Sequence, residues 1–275
     1  MAKVWLVTGG SRGLGRAIVE EALAAGNKVV ATARNIDSLK DLAERYGDNI
    51  LRFALDVTDY GQAEAAVAAA IERFGRLDVV VNNAGYANMA SVEEVDMTDF
   101  REQVEAVFFG TVHVTKAALP VFLGQGAGHF IQVTSVGGRG TAPAISAYQS
   151  AKFATEGFSG VLNDEVRHLG IKVTMAEPGL MRTDWSGPSM VMRPYHERYQ
   201  PVVAPLIQHL RSQRGQEPID PAKVARVLLD VVELDEPPLH LVLGRDAVDR
   251  VRAGMAAQLA EDERWADVGR SVDFV

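Results

Sequence analysis

The chain has 275 residues, of which 47% are hydrophobic and 23% charged, with a formal net charge of −8 and no cysteine. That balance suits one soluble α/β domain with a substantial core over residues 1–275, and argues against a nucleic-acid partner, which needs a basic footprint. Without cysteine there is no disulfide framework, no thiolate nucleophile and no Cys-ligated metal.

The first apolar run, residues 3–8, leads into Gly9-Gly10-Ser11-Arg12-Gly13-Leu14-Gly15 and a helical pattern over 16–25. Strand, glycine turn and helix together make a phosphate-binding unit. Glycine lets a pyrophosphate approach the backbone, and the helix N-terminus offers unpaired N–H groups at a positive dipole end. The spacing Gly-x-x-x-Gly-x-Gly departs from the usual dinucleotide fingerprint, so the turn read alone also fits a structural role.

A second strand, residues 28–33, ends at Arg34-Asn35. In adenine dinucleotide sites a carboxylate near this position takes the ribose 2′-hydroxyl, whereas an arginine accommodates a 2′-phosphate. Ala33 and Arg34, with Arg12 in the glycine turn, favour NADP(H) over NAD(H). Read alone, the two are also ordinary solvated arginines. Residues 50–55 form the third strand, and Asp56-Val57 at its end is placed to meet an adenine ring. A helix follows over 59–74, then a fourth strand, 77–81, which is nearly all apolar, as burial on both faces requires. It runs into Asn82-Asn83-Ala84-Gly85, small and amide residues that suit ligand contact as well as turn chemistry.

Helical periodicity returns over 98–123, strand five covers 129–134, a long helix 148–169 and strand six 171–176. This alternation demands parallel pairing. Residues 180–218 break the rhythm. They mix Trp185, Met190, Met192, Tyr195 and Tyr199 with prolines and charges, too irregular for a core element. Such stretches are functional or disordered, and the aromatics suit a substrate lid. A helix over 220–234, a seventh strand over 239–243 and a terminal helix from 246 to about 264 complete the pattern. The histidines lack metal-ligand spacing, no apolar run approaches about 18 residues, and the first strand leaves no room for a signal peptide. A cytoplasmic protein with neither metal nor membrane partner is expected.

Ser135, Tyr148 and Lys152 read as one catalytic group. Tyr148 and Lys152 are four apart at a helix start, hence on one face. An ammonium beneath a phenol favours the phenolate and draws its pKa down from about 10, which makes Tyr148 a general acid or base. The Ser135 hydroxyl, at the end of strand five, can hold a substrate carbonyl beside that phenol. Tyr-x-x-x-Lys on its own also occurs on solvated helix faces; the rest of the chain gives it weight.

Taken in order, Thr8-Gly-x-x-x-Gly-x-Gly15, Asn82-Asn-Ala-Gly85, Ser135, Tyr148-x-x-x-Lys152 and Pro178-Gly179 make the chain resemble a short-chain dehydrogenase/reductase. The resemblance implies a Rossmann-like, doubly wound parallel sheet of seven strands with helices on both faces. A nicotinamide dinucleotide would lie across the carboxyl ends of the strands. Tyr148 would move the proton, Ser135 would orient the carbonyl, and Lys152 would hold the nicotinamide ribose and lower the tyrosine pKa. Asn83, Ala84 and Gly85 would line the cofactor, and Pro178, Gly179 and Thr183 would sit near its carboxamide. A homodimer or homotetramer paired through the helices near 98–123 and 148–169 is also implied. One departure stands out: many relatives carry an asparagine in the helix before strand five, positioning a water that links the lysine to solvent, where this chain has Val107.

The expected activity is hydride transfer between NADP(H) and the carbonyl or secondary alcohol of a small apolar substrate, a ketone, a steroid or retinoid, or an acyl thioester. The competing reading is a non-catalytic NADP(H)-binding regulator, supported by Val107 and opposed by the retained Ser135, Tyr148 and Lys152.

Overall fold

The computed structural model describes residues 2–187 and 190–274; Pro188 and Ser189 of the expected lid lie outside the described residues, as do Met1 and Val275. Seven strands form one sheet: β1 (Val4–Val7), β2 (Lys28–Ala33), β3 (Ile50–Ala54), β4 (Val79–Asn82), β5 (Gly128–Val133), β6 (Ile171–Pro178) and β7 (His240–Leu243). Their order is β3-β2-β1-β4-β5-β6-β7 and every ladder is parallel. The order reverses between β1 and β4, and the carboxyl ends of those strands flank the crevice where such sheets bind ligands.

Period-two alternation explains the two layers. Trp5 and Val7 of β1 point into a core with Ile18, Val19 and Leu23 of α1 (Gly13–Ala24), Leu42 of α2 (Lys40–Tyr46) and, later in the chain, Val224 and Leu228 of α8 (Pro221–Val232). Val4 and Leu6 point the other way, onto Ala66 and Val67 of α3 (Tyr60–Phe74), Val114 and Phe122 of α5 (Gly110–Gln125) and Leu162 of α6 (Ser146–Val166). The central strands are thus covered on both faces, which is why their residues are apolar at successive positions. Caps set the helix ends. The Asp59 carboxylate accepts from Gln62 N–H at the start of α3, Asp220 accepts from Ala222 N–H before Pro221, and Gly75 closes α3 at φ +77°.

The helix before β5 is longer than its periodicity indicates. α4 (Met97–Val104) passes through a π-turn, Glu105–Phe109, straight into α5. The whole span Met97–Gln125 is apolar and long enough to pass for a membrane-crossing helix, contrary to the expectation of no such run. It packs Val114, Ala118 and Phe122 fully buried against the sheet. Two further elements differ from the sequence reading. α2 occupies the connection after β2, which carries no clear period. The irregular stretch contains α7 (Gln200–Gln213), a helix with Val203, Ile207 and Leu210 buried. Pro201 sits in its first turn, where no intrahelical donor is needed, and Pro205 costs one bond. The terminal helix α9 (Arg245–Arg270) runs past the expected end near 264.

Candidate active site

The glycine turn is built around close approach. Gly9 takes φ +66°, and a Cβ on Gly15 would stand 2.3 Å from the Gly9 carbonyl oxygen and 2.5 Å from Asn83 Nδ2. The Thr8 hydroxyl ties the turn to the end of β4, accepting from the N–H groups of Asn83 at 2.9 Å and Ala84 at 3.0 Å. The Asn83 amide donates to the Thr8 carbonyl at 2.9 Å. Its side chain therefore holds the turn in shape, a role the motif alone does not reveal.

No side chain caps α1, and Arg16 N–H to Arg12 C=O is its first turn-closing bond, so the N–H groups of Gly13, Leu14 and Gly15 have no acceptor within the helix. That is a seat for a phosphate. The Leu14 side chain is buried in the core beneath, which leaves only its backbone for a ligand. Ser11 is half-buried beside the exposed Arg12. Arg34 is also exposed, and among the described residues neither arginine is paired with a carboxylate, whereas nearby Arg16 binds both Glu20 and Asp41. The residues present fit a dinucleotide with room for an anionic group at Arg12 and Arg34.

Other expected contacts are partly committed elsewhere. Asn35 Oδ1 caps a short 3-10 turn by accepting from Asp37 N–H at 3.0 Å. Asp56 Oδ1 accepts from the Thr58 N–H and hydroxyl, and Val57 is buried with its carbonyl against His113. Gly179 N–H donates to Leu243 C=O at 3.0 Å, fixing the Pro178-Gly179 corner onto β7. Thr183 arches over the glycine turn, its Cβ 3.4 Å from where a side chain on Gly13 would begin.

Ser135, Tyr148 and Lys152 meet at the carboxyl end of β5. The Ser135 hydroxyl hydrogen-bonds Tyr148 and accepts from Gly137 N–H at 3.0 Å. Lys152 Nζ donates to the Val133 carbonyl at 2.6 Å and lies 5.6 Å from the centre of the Tyr148 ring. Tyr148 and Lys152 are both buried. Burial pushes the phenol up to about 12, with the Ser135 hydrogen bond opposing, and pushes the ammonium down to about 8, with Glu156 opposing. The expected lowering of the tyrosine pKa is thus reversed in sign. Each charged form loses its water, and that penalty exceeds the attraction the spacing promises. In this setting the phenol is held in its protonated form.

Apolar side chains pack around the phenol. Ala87, Met89, Val107, Ala144, Met190, Val203 and Ile207 form a buried cluster with Tyr148, and the Trp185 ring stands 5.4 Å from the tyrosine ring at 57°. The segment after Gly179 is docked there by main-chain bonds: Met89 N–H to Val191 C=O and Arg193 N–H to Met89 C=O, both at 2.8 Å. Val107 lies in the π-turn, and its carbonyl accepts from the Thr111 hydroxyl at 3.0 Å.

Beside these three residues lies an ionic cluster that no motif announces. Arg139 Nη1 donates to both oxygens of the fully buried Glu177, at 3.0 and 3.1 Å. His240 Nδ1 stands 2.6 Å from Glu177 and 3.5 Å from Glu156. The only signal in the sequence is a charged residue beside each catalytic segment: Arg139 after Ser135, Glu156 one turn after Lys152, Glu177 before Pro178.

Comparison with known proteins agrees with this geometry. The family model for short chain dehydrogenases matches residues 3–192. Oxidoreductase BOA17 of Botryotinia fuckeliana is 49% identical, with 98% of each chain covered. A crystal structure of a short-chain dehydrogenase from Streptomyces avermitilis superposes with a TM-score of 0.94 at 38% identity, covering 100% of both chains. An alcohol dehydrogenase from Thermococcus sibiricus, complexed with 5-hydroxy-NADP, gives a TM-score of 0.74 at 25% identity over 88% of this chain and 96% of its own.

Proposed function

Because the chain belongs to the short-chain dehydrogenase family and is an oxidoreductase using a nicotinamide dinucleotide, we propose that it is an NADP(H)-dependent reductase of apolar carbonyl compounds. The reverse reaction oxidises the matching secondary alcohols. The observation that carries this reading is the buried, proton-holding Tyr148 grouped with Ser135 and Lys152 within an apolar cluster. A substrate carbonyl takes the Ser135 hydrogen bond and receives the Tyr148 proton. The bound nicotinamide supplies or accepts the hydride, and the protein supplies position and a site from which water is excluded. Thr183 over Gly13 and the Pro178-Gly179 corner hold the nicotinamide end, Arg12 and Arg34 the adenine ribose phosphate.

These apolar surroundings favour a ketone, steroid- or retinoid-like carbonyl, or acyl thioester over a charged substrate, since a buried charge among Met89, Met190 and Trp185 has no counter-ion among the described residues of that cluster. Exposed Phe109, Phe153 and Val161, on the helices expected to pair, support a homo-oligomer. The test is oxidation of NADPH and NADH at 340 nm against a panel of apolar ketones, aldehydes and diketones. Turnover with NADPH on any member supports the reading. Tight NADPH binding with no turnover, including in Val107→Asn, would favour a regulatory dinucleotide-binding protein instead.

A further inference from the structure

The proton that Tyr148 gives away must be replaced, and the phenol is buried beside Trp185 within the apolar cluster. On the side of that cluster Val107 offers no side-chain hydrogen bond. On the opposite side, Glu156 follows Lys152 by one turn of α6 and so lies on the same helix face. Both Glu156 oxygens are shut off from solvent without a hydrogen-bond partner among the described residues, near the Thr134 hydroxyl, and Thr134 adjoins Val133, whose carbonyl receives the Lys152 ammonium. Glu156 Oε2 is 3.5 Å from His240 Nδ1, and the His240 side chain is 45% exposed, the most open of the cluster to water. Arg139 and Glu177 anchor the arrangement, with Arg139 Nη1 2.9 Å from His240 Nδ1 and Nη2 on the Met255 sulfur of α9. The charged groups facing Glu156 are therefore Lys152 on its own helix, Glu177 on β6, Arg139 after Ser135 and His240 on β7. A guanidinium supplies the positive charge at the centre of the set.

We propose that Glu156 and His240 are a proton path between Lys152 and solvent, held in register by the Arg139–Glu177 pair. The proposal rests on the reductase reading. As hydride reaches the substrate carbon, Tyr148 gives one proton to the substrate oxygen and becomes phenolate. Lys152 restores the phenol with its ammonium proton and takes one from the Glu156 carboxyl through a bridging water, since the two are not in direct contact. Glu156 takes one across 3.5 Å from the His240 imidazolium, which is recharged from water. One proton enters for each hydride delivered, and alcohol oxidation runs the path outward. Burial raises the Glu156 pKa, so its carboxyl can hold the proton it passes on. Imidazole is the side chain suited to exchanging protons with water near neutral pH.

The experiment uses the full chain, NADPH and the best ketone of the panel. His240→Ala, at the surface, should lower kcat about tenfold, within the range for a lost proton-transfer group, while KM, NADPH affinity and the circular dichroism spectrum stay unchanged. The solvent deuterium isotope effect on kcat should rise, and added imidazole should restore the rate in a concentration-dependent way. Glu156→Gln should lose more, without restoration by imidazole. A merely structural role for His240 would not respond to imidazole. A His240→Ala rate within twofold of wild type, or a loss that imidazole does not repair, overturns the path and leaves the reductase reading standing. No turnover by the wild-type chain overturns both.

Discussion

Lys152→Met separates the energetic cost of the buried lysine from its proposed use. In the native state burial brings the ammonium from 10.5 down to about 8. At about 1.4 kcal/mol per pKa unit, holding this lysine charged at pH 7 costs about 3 kcal/mol of stability. Methionine fills the same space without the charge, but it leaves the Val133 carbonyl without its 2.6 Å donor, a loss of about 1–3 kcal/mol. At pH 7 the two effects nearly cancel. Between pH 8 and 10.5 the unfolded chain binds the lysine proton and the native chain does not, so rising pH stabilises the wild type through this residue. The variant lacks that gain. Thermal melts of both proteins from pH 7 to pH 10 should therefore show similar Tm values at pH 7. By pH 10 the variant should fall behind by about 4–8 °C, from about 2 kcal/mol in a chain of this size. A gap in Tm that stays constant across this range would refute the claim that burial, rather than attraction to Tyr148, dominates the lysine.

Arg34→Ala should weaken NADPH binding about tenfold, the loss of one charge-assisted phosphate contact, while NADH affinity measured by fluorescence titration stays within twofold; equal losses for both would remove the 2′-phosphate assignment. Gly15→Ala places a methyl 2.3 Å from the Gly9 carbonyl oxygen, to which the Asn83 amide donates at 3.4 Å, so about 1–3 kcal/mol of stability and at least tenfold in dinucleotide affinity should be lost. Wild-type NADPH titration by Gly15→Ala would show that the turn is not the phosphate seat. Val107→Asn should leave turnover equal or higher, with about 1–2 kcal/mol less stability from a buried amide against Gly85; a large fall in rate with an intact circular dichroism spectrum would sink that idea.

What could be read from the sequence was local. Alternating Trp5 and Val7 against Val4 and Leu6, glycines at the close approach of Gly9 and Gly15, and aspartates before helices each have a cause within a few residues. The candidate site was legible for the same reason: Tyr148 and Lys152 are one helical turn apart, and Ser135 ends the neighbouring strand. What escaped depends on partners distant in the chain. α7 hid behind Pro201 and Pro205, because only packing of Val203, Ile207 and Leu210 in the apolar cluster makes those residues a helix face. The docking of residues 191–193 on Met89 joins segments about a hundred residues apart. The sign of the Tyr148 shift depends on how completely the apolar cluster excludes water, and spacing carries no information about that. Arg139, Glu156, Glu177 and His240 come together only once β6 and β7 are paired.

The most direct test compares wild type with Tyr148→Phe, a variant that removes one buried hydroxyl and keeps the ring against Trp185. With a carbonyl that the wild type reduces, NADPH consumption at 340 nm should fall at least about 100-fold, the scale of a lost general acid. NADPH affinity and Tm should change little. Turnover by Tyr148→Phe within a few-fold of wild type would mean that this phenol is not the proton donor, and the account of the site would fail with it.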